Sequence, residues 1–277
     1  MLSMWKLLSA TLLLSSVLYG ETTSEKIEDF LLDKFEENSR IENVHVRVEE
    51  KVPLEDIKGW DGYIVSVKAT IKQPVKKQIK QKMIWFSNGT MITKELVNMD
   101  TGRDLLQQVK PKFKAAYYAK ENLVYGNANA KHKIAFFSDP LCPFCKGFVP
   151  GALKELKKEP KKFAVYYYHL PLERIHPASV HIVKMMTAAQ LQGVKDVIIK
   201  TYNIKVNPRE KNVQKILDAF NKAVGTKLTM KDINAPVVLK HVKKDFNIAT
   251  DLLVGGTPTV YLDDKYDKKR NSYKKVK

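Results

Sequence analysis

The chain has 277 residues and only two cysteines, Cys142 and Cys145, both within the stretch SDPLCPFCKGFVP. That scarcity excludes a framework of several disulfides. Internal repeats are absent, which excludes a solenoid or a propeller. Beyond the first twenty residues no apolar run is long enough to span a membrane as a helix. Acidic residues are also in short supply, since 30 Asp and Glu face 48 Lys and Arg and leave a net charge of +18. The lysines are nevertheless spread along the chain and mixed with carboxylates, with no aromatic-interleaved basic motif. Nucleic acid is therefore not an expected partner. The charge reads as a solvated basic surface that favours acidic partners or anionic membrane.

The N-terminus decides the expected compartment. Residues 1–6 carry one positive charge, residues 7–19 are uncharged and largely apolar, and Gly20 precedes polar residues. The run is roughly 13 residues against the about 20 of a spanning helix, so 1–20 reads as a secretory signal peptide. The expected location is the periplasm, an oxidising compartment where a cysteine pair finds redox partners.

The remaining length suits two domains. Thr22 and Glu25 form a capping box ahead of Ile27, Phe30, Leu31 and Phe35 at helical spacing. Val44, Val46 and Val48 alternate with polar residues, as do Val65, Val67, Ala69 and Ile71, and both segments read as half-buried strands. Asn88-Gly89 marks a hairpin. Residues 21–100 thus form a small α+β domain that gains from pairing an edge strand. Residues 101–120 read as a linker, helical around 113–120. From 121 onward come strands at 122–125 and 133–138, a helix at 143–158 and a strand at 163–169, which make a βαβ unit. Helical stretches follow around Val180–Leu191 in sequence, Val213 to Phe220 and Val237 to Phe246, before a last strand at 259–262. The fold class is α/β, a βαβ core with a helical insertion at about 178–250.

Pro143 sits at the first turn of the helix that starts beside Cys142, where a missing N–H costs nothing. Cys142 thereby meets the positive end of the helix dipole and free backbone N–H groups, a setting that favours thiolate over thiol. Cys145, one turn on, suits a resolving thiol. A structural disulfide is disfavoured, because so short a loop gains little. A metal site built from C-x2-C with His176 and His181 is disfavoured by the long gap between them. No metal and no cofactor is expected beyond the redox-active Cys142–Cys145 pair.

FSDPLCPFC, Pro150 eight residues after Cys142, and GGTPTVYL near the end resemble the thioredoxin superfamily, and most closely the periplasmic DsbC/DsbG group of thiol:disulfide interchange proteins. That resemblance implies a thioredoxin-like domain with a helical insertion over 121–277, preceded by an N-terminal dimerisation domain and a linker helix. It implies catalytic Cys142 and Cys145, with Pro143 and Phe144 as the tuning dipeptide. It also implies a cis Pro258 beside the pair, with Gly256 and Thr257 presenting backbone to an extended substrate. Asp139 would oppose the thiolate if close; Lys146 could offset it, but reads rather as a solvated lysine. The expected function is disulfide isomerisation or reduction of misoxidised exported proteins by a homodimer, coupled to a membrane electron donor or acceptor. A dimeric oxidase using the same cysteines and a non-enzymatic holdase are the alternatives. One departure stands out: residues 263–277 show no helical apolar stripe for the helix that closes this fold, and offer one short hairpin strand instead.

Overall fold

The computed structural model describes residues 21–72 and 76–276, so the expected signal peptide lies outside the described residues. Among the described residues no helix is long and apolar enough to cross a membrane. In chain order the elements are α1 (Thr23–Glu36), β1 (Ile41–Pro53), β2 (Asp61–Ile71), β3 (Lys77–Ser87), β4 (Ile92–Thr93), β5 (Val97–Asn98), β6 (Arg103–Asp104) and α2 (Leu106–Val109). Then come β7 (Leu123–Tyr125), β8 (His132–Ser138), α3 (Pro143–Leu156), β9 (Phe163–His169) and α4 (Pro177–Leu191). Helices α5 (Val197–Thr201), α6 (Val213–Val224), α7 (Met230–Ile233) and α8 (Pro236–Asp251) lead to β10 (Thr259–Leu262) and β11 (Lys265–Tyr266).

The Thr22 hydroxyl accepts the Glu25 N–H while the Glu25 carboxylate accepts the Thr22 N–H at 2.7 Å, the reciprocal cap that starts α1. Strands β1 to β4 form an antiparallel sheet in sequence order. Its central strand differs from the half-buried reading, because β2 is buried on both faces. Tyr63 and Val65 pack against Ile27 and Leu31 of α1, while Ile64 packs with Phe86, Leu105 and Val109 on the opposite side. Alternation records one face only when the other is wet, and here residues 105–109 dry it. The approach is so close that a Cβ on Gly62 would run into Val109.

The expected linker helix over 113–120 does not form. Pro111 cannot supply a helical N–H. Two 3-10 turns, Ala115–Tyr117 and Lys120–Asn122, stand in its place. Phe113 explains the difference: it is buried among the rings of Tyr117, Tyr118, Phe137, Tyr168 and Tyr261. Its N–H donates to the Asp264 carbonyl at 2.8 Å. The segment is a pinned strap rather than a hinge.

The second sheet has the order β11-β10-β8-β9-β7, with β8 and β9 parallel and the other pairs antiparallel. Its near-continuous apolar strands, such as Phe163–His169, are covered on both faces, as a parallel pair joined by a helix requires. One face carries Ile134, Phe136, Val165, Tyr167 and Val260 against α3, α4 and α6. The other carries Ala135, Phe137, Tyr166, Tyr168 and Tyr261 against Ile248 and Leu252 at the end of α8. The helical insertion thus covers the sheet, and among the described residues no helix longer than a 3-10 turn follows β11. That turn, Ser272–Lys274, buries Tyr273, whose hydroxyl donates to Glu155 at 2.9 Å.

Candidate active site

The site begins where β8 leaves the sheet. Ser138 ends the strand, and residues 139–141 turn the chain into α3. Cys142 is the N-cap residue, extended at φ −66° and ψ 124°, with Pro143 at the first helical position. Lys146 N–H donates to the Cys142 carbonyl at 2.9 Å, which closes the first turn. No side chain caps this end, so the dipole and the unpaired N–H groups of the first turn face the Cys142 region. Pro150 lies inside the same helix.

From the far end of the chain the loop ahead of β10 brings Thr257 and Pro258 to the cysteines. The Thr257–Pro258 bond is cis. Cys142 Sγ lies 3.6 Å from the Thr257 carbonyl oxygen, 115 residues away in sequence. Gly256 adjoins this contact, and its carbonyl accepts the Thr259 hydroxyl at 2.8 Å. Five of the sequence candidates, Cys142, Cys145, Gly256, Thr257 and Pro258, therefore gather at one point. Phe144 stands apart from them, 76% exposed beside a nearly buried Cys142 at 4%.

Cys145 faces inward and is fully buried. Burial pushes its thiol up to about 12, against the opposing pull of the Ser138 and Thr257 hydroxyls. The Ser138 hydroxyl also meets that of Tyr202 at 2.6 Å, and Tyr202 meets Tyr167 at 3.2 Å. Burial drives both phenols above their ordinary range. Behind the resolving position lies a dry chain of neutral hydroxyls.

Asp139 departs from the role assigned to it. Its carboxylate is fully buried and accepts from Leu141 N–H at 2.7 Å, Leu172 N–H at 2.7 Å and the Ser179 hydroxyl at 2.6 Å, with His176 Nδ1 at 3.1 Å. It binds the loop ahead of Cys142 to the start of α4 and is consumed in doing so. Lys146 is solvent-exposed. His176 is the N-cap residue of α4 and belongs with Asp139, while His181 is half-buried further along that helix. Sequence reasoning missed Ser138, Tyr167 and Tyr202, because nothing in local spacing joins a strand end to a short helix 64 residues later.

Residues 118–277, more than half of the chain, match the family described as Thioredoxin. The chain belongs to the thioredoxin family. No curated protein matches it. Among solved structures it is similar to a thioredoxin-like oxidoreductase from Silicibacter pomeroyi, with 20% identity over 54% of this chain and 84% of that one, at a TM-score of 0.43. The catalytic domain of Proteus mirabilis ScsC gives 21% identity over 55% and 83%, at 0.44. Oxidised BdbD from Bacillus subtilis gives 17% over 60% and 94%, at 0.48. Membership in the family fits the parallel βαβ unit with its cysteine pair at the helix start; the DsbC/DsbG group is not distinguished within it.

Proposed function

We propose that this thioredoxin-family chain is a periplasmic thiol–disulfide oxidoreductase that isomerises or reduces disulfides of exported proteins. One observation carries the reading: Cys142 Sγ stands at an uncapped helix N-terminus, 3.6 Å from the backbone of Thr257 beside cis Pro258, with Cys145 one turn behind. In the reductive direction the Cys142 thiolate attacks one sulfur of a substrate disulfide. A mixed disulfide forms, and the other substrate sulfur leaves as a thiolate that takes up a proton. Cys145 then loses its proton and attacks Cys142 Sγ, releasing the second substrate sulfur. The substrate gains two electrons, and the Cys142–Cys145 pair supplies them.

The chemistry of Cys145 favours isomerisation over simple reduction. Burial holds this thiol protonated at neutral pH. Resolution is then slow unless substrate binding frees that proton, and a free thiol of the substrate has time to displace Cys142 first. That exchange transfers no net electrons and leaves the pair reduced. The N-terminal unit supports the same reading, since a second copy paired along its sheet edge would shield the cysteines from oxidants.

Replacing Cys142 by Ser should abolish insulin reduction and the refolding of scrambled ribonuclease, and retained activity would refute the assignment. The redox state of the pair, trapped in the cell envelope, separates the variants of the reading. A mostly reduced pair supports an isomerase; a mostly oxidised one supports the oxidase.

A further inference from the structure

Away from the cysteines, one buried cluster takes no part in this chemistry. His169 ends β9, opposite Ser138 in register, and His241 and Asp245 lie one turn apart on α8. One ligand atom from each of the three falls within 4.8 Å of the others, and this is the one such group of three among the described residues. Asn122, from the strap ahead of β7, completes the wall: its Nδ2 donates to Asp245 Oδ1 at 2.8 Å and to the Tyr167 carbonyl at 3.0 Å.

Buried polar groups in folded proteins are seldom left without a partner. This cluster leaves two. His169 Nε2 and Asn122 Oδ1 are buried with no hydrogen-bond partner, in residues that are 1% exposed. The third anomaly is His241. Its Nε2 faces a carboxylate oxygen, Asp245 Oδ2, at 3.5 Å and an amide N–H donor, Asn122 Nδ2, also at 3.5 Å. A protonated Nε2 suits the first and repels the second; a bare one does the opposite. Both distances are at the limit of a hydrogen bond. A cation sharing the space would take a bare Nε2 lone pair and a carboxylate together.

We propose that His169, His241 and Asp245 form a zinc site that fastens α8 to β9. Two imidazoles and one carboxylate are the borderline ligands that Zn²⁺ takes in preference to Ca²⁺ or Mg²⁺, at bonds of about 2.0–2.2 Å. Asp245 Oδ2 lies 2.8 Å from His169 Nδ1 and 3.5 Å from His241 Nε2, so the ion replaces the His169–Asp245 hydrogen bond and closure requires side-chain shifts of about 1 Å. Asp245 also accepts the His169 backbone N–H at 2.9 Å, which holds the strand end and the helix in register for the ion.

Thiolates in general bind zinc, so the test removes both cysteines. The purified Cys142→Ser/Cys145→Ser protein, titrated with zinc chloride in a calorimeter, should bind one ion per chain and melt at a higher temperature when loaded. Adding His241→Ala should weaken binding at least a hundredfold and erase the thermal shift. Absence of binding in the double variant overturns the proposal, and so does undiminished binding in the triple variant. Should the triple variant fail to fold, cobalt decides on the double variant: an intense tetrahedral spectrum without thiolate charge transfer supports the site, and a weak octahedral one overturns it.

Discussion

Two thiols one turn apart are held in opposite environments. Cys142 sits at a helix start against a backbone carbonyl, whereas Cys145 is sealed into the core with its thiol near 12. At pH 8 iodoacetamide should therefore label Cys142 and spare Cys145, and peptide mass mapping reads the difference directly. The same burial links to stability. Between pH 9 and about 12 the unfolded chain has shed the Cys145 proton that the native chain keeps, so this thiol lowers stability as pH rises through that window. Asp139 makes the second prediction. Asp139→Ala strands two backbone N–H groups, a hydroxyl and His176, and should cost about 3–5 kcal/mol in denaturant unfolding. The cysteines were legible because CxxC ahead of a helix is a local signal. The structural role of Asp139 was not legible because its partners, residues 172, 176 and 179, are brought to it by the fold.

At the scale of elements, periodicity located what is locally consistent: α3 behind Pro143, α6 closed by Gly225 at φ +78°, and the strand at Thr259–Leu262. It failed where tertiary contact overrides local preference. The stretch 113–120 reads as helix by composition, yet burial of Phe113 among aromatic rings dictates an extended path with two short turns. Phe113→Ala should accordingly cost about 3–5 kcal/mol, and a smaller loss would show that the strap is not pinned there. Lys110, just upstream, offers a sharper test. Its ammonium lies 4.2 Å from the centre of the Tyr266 ring and donates to the Leu253 carbonyl at 3.3 Å. Burial lowers its pKa to about 8. Between about 8 and 10.5 the unfolded chain holds a proton that the native chain has lost, so this lysine makes stability rise with pH. Lys110→Met removes that slope; the stability difference between wild type and variant, followed from pH 7 to 10, should shift towards the wild type as pH rises.

Across the whole molecule, the cysteine chemistry is confined to one part of the chain. Both cores of the second sheet, the cysteine pair and the Thr257–Pro258 loop lie within residues 112–276, and Phe113 belongs to one of those cores. The sheet of β1–β4 rests on this unit through Leu253, which Lys110 also contacts, and among the described residues it contributes none to the cysteine site. A fragment starting at residue 112 should hence fold and reduce insulin within about twofold of the full chain, because every bond made or broken in that reaction is inside it. Isomerisation asks for more: the mixed disulfide must outlive competing oxidation. If the N-terminal sheet supplies that protection by pairing with a second copy, the fragment should sediment as a monomer, refold scrambled ribonuclease poorly and accumulate as the oxidised form in the envelope. Full isomerase activity in a monomeric fragment would mean that the slow attack of Cys145 suffices by itself, and the N-terminal unit would then need another purpose.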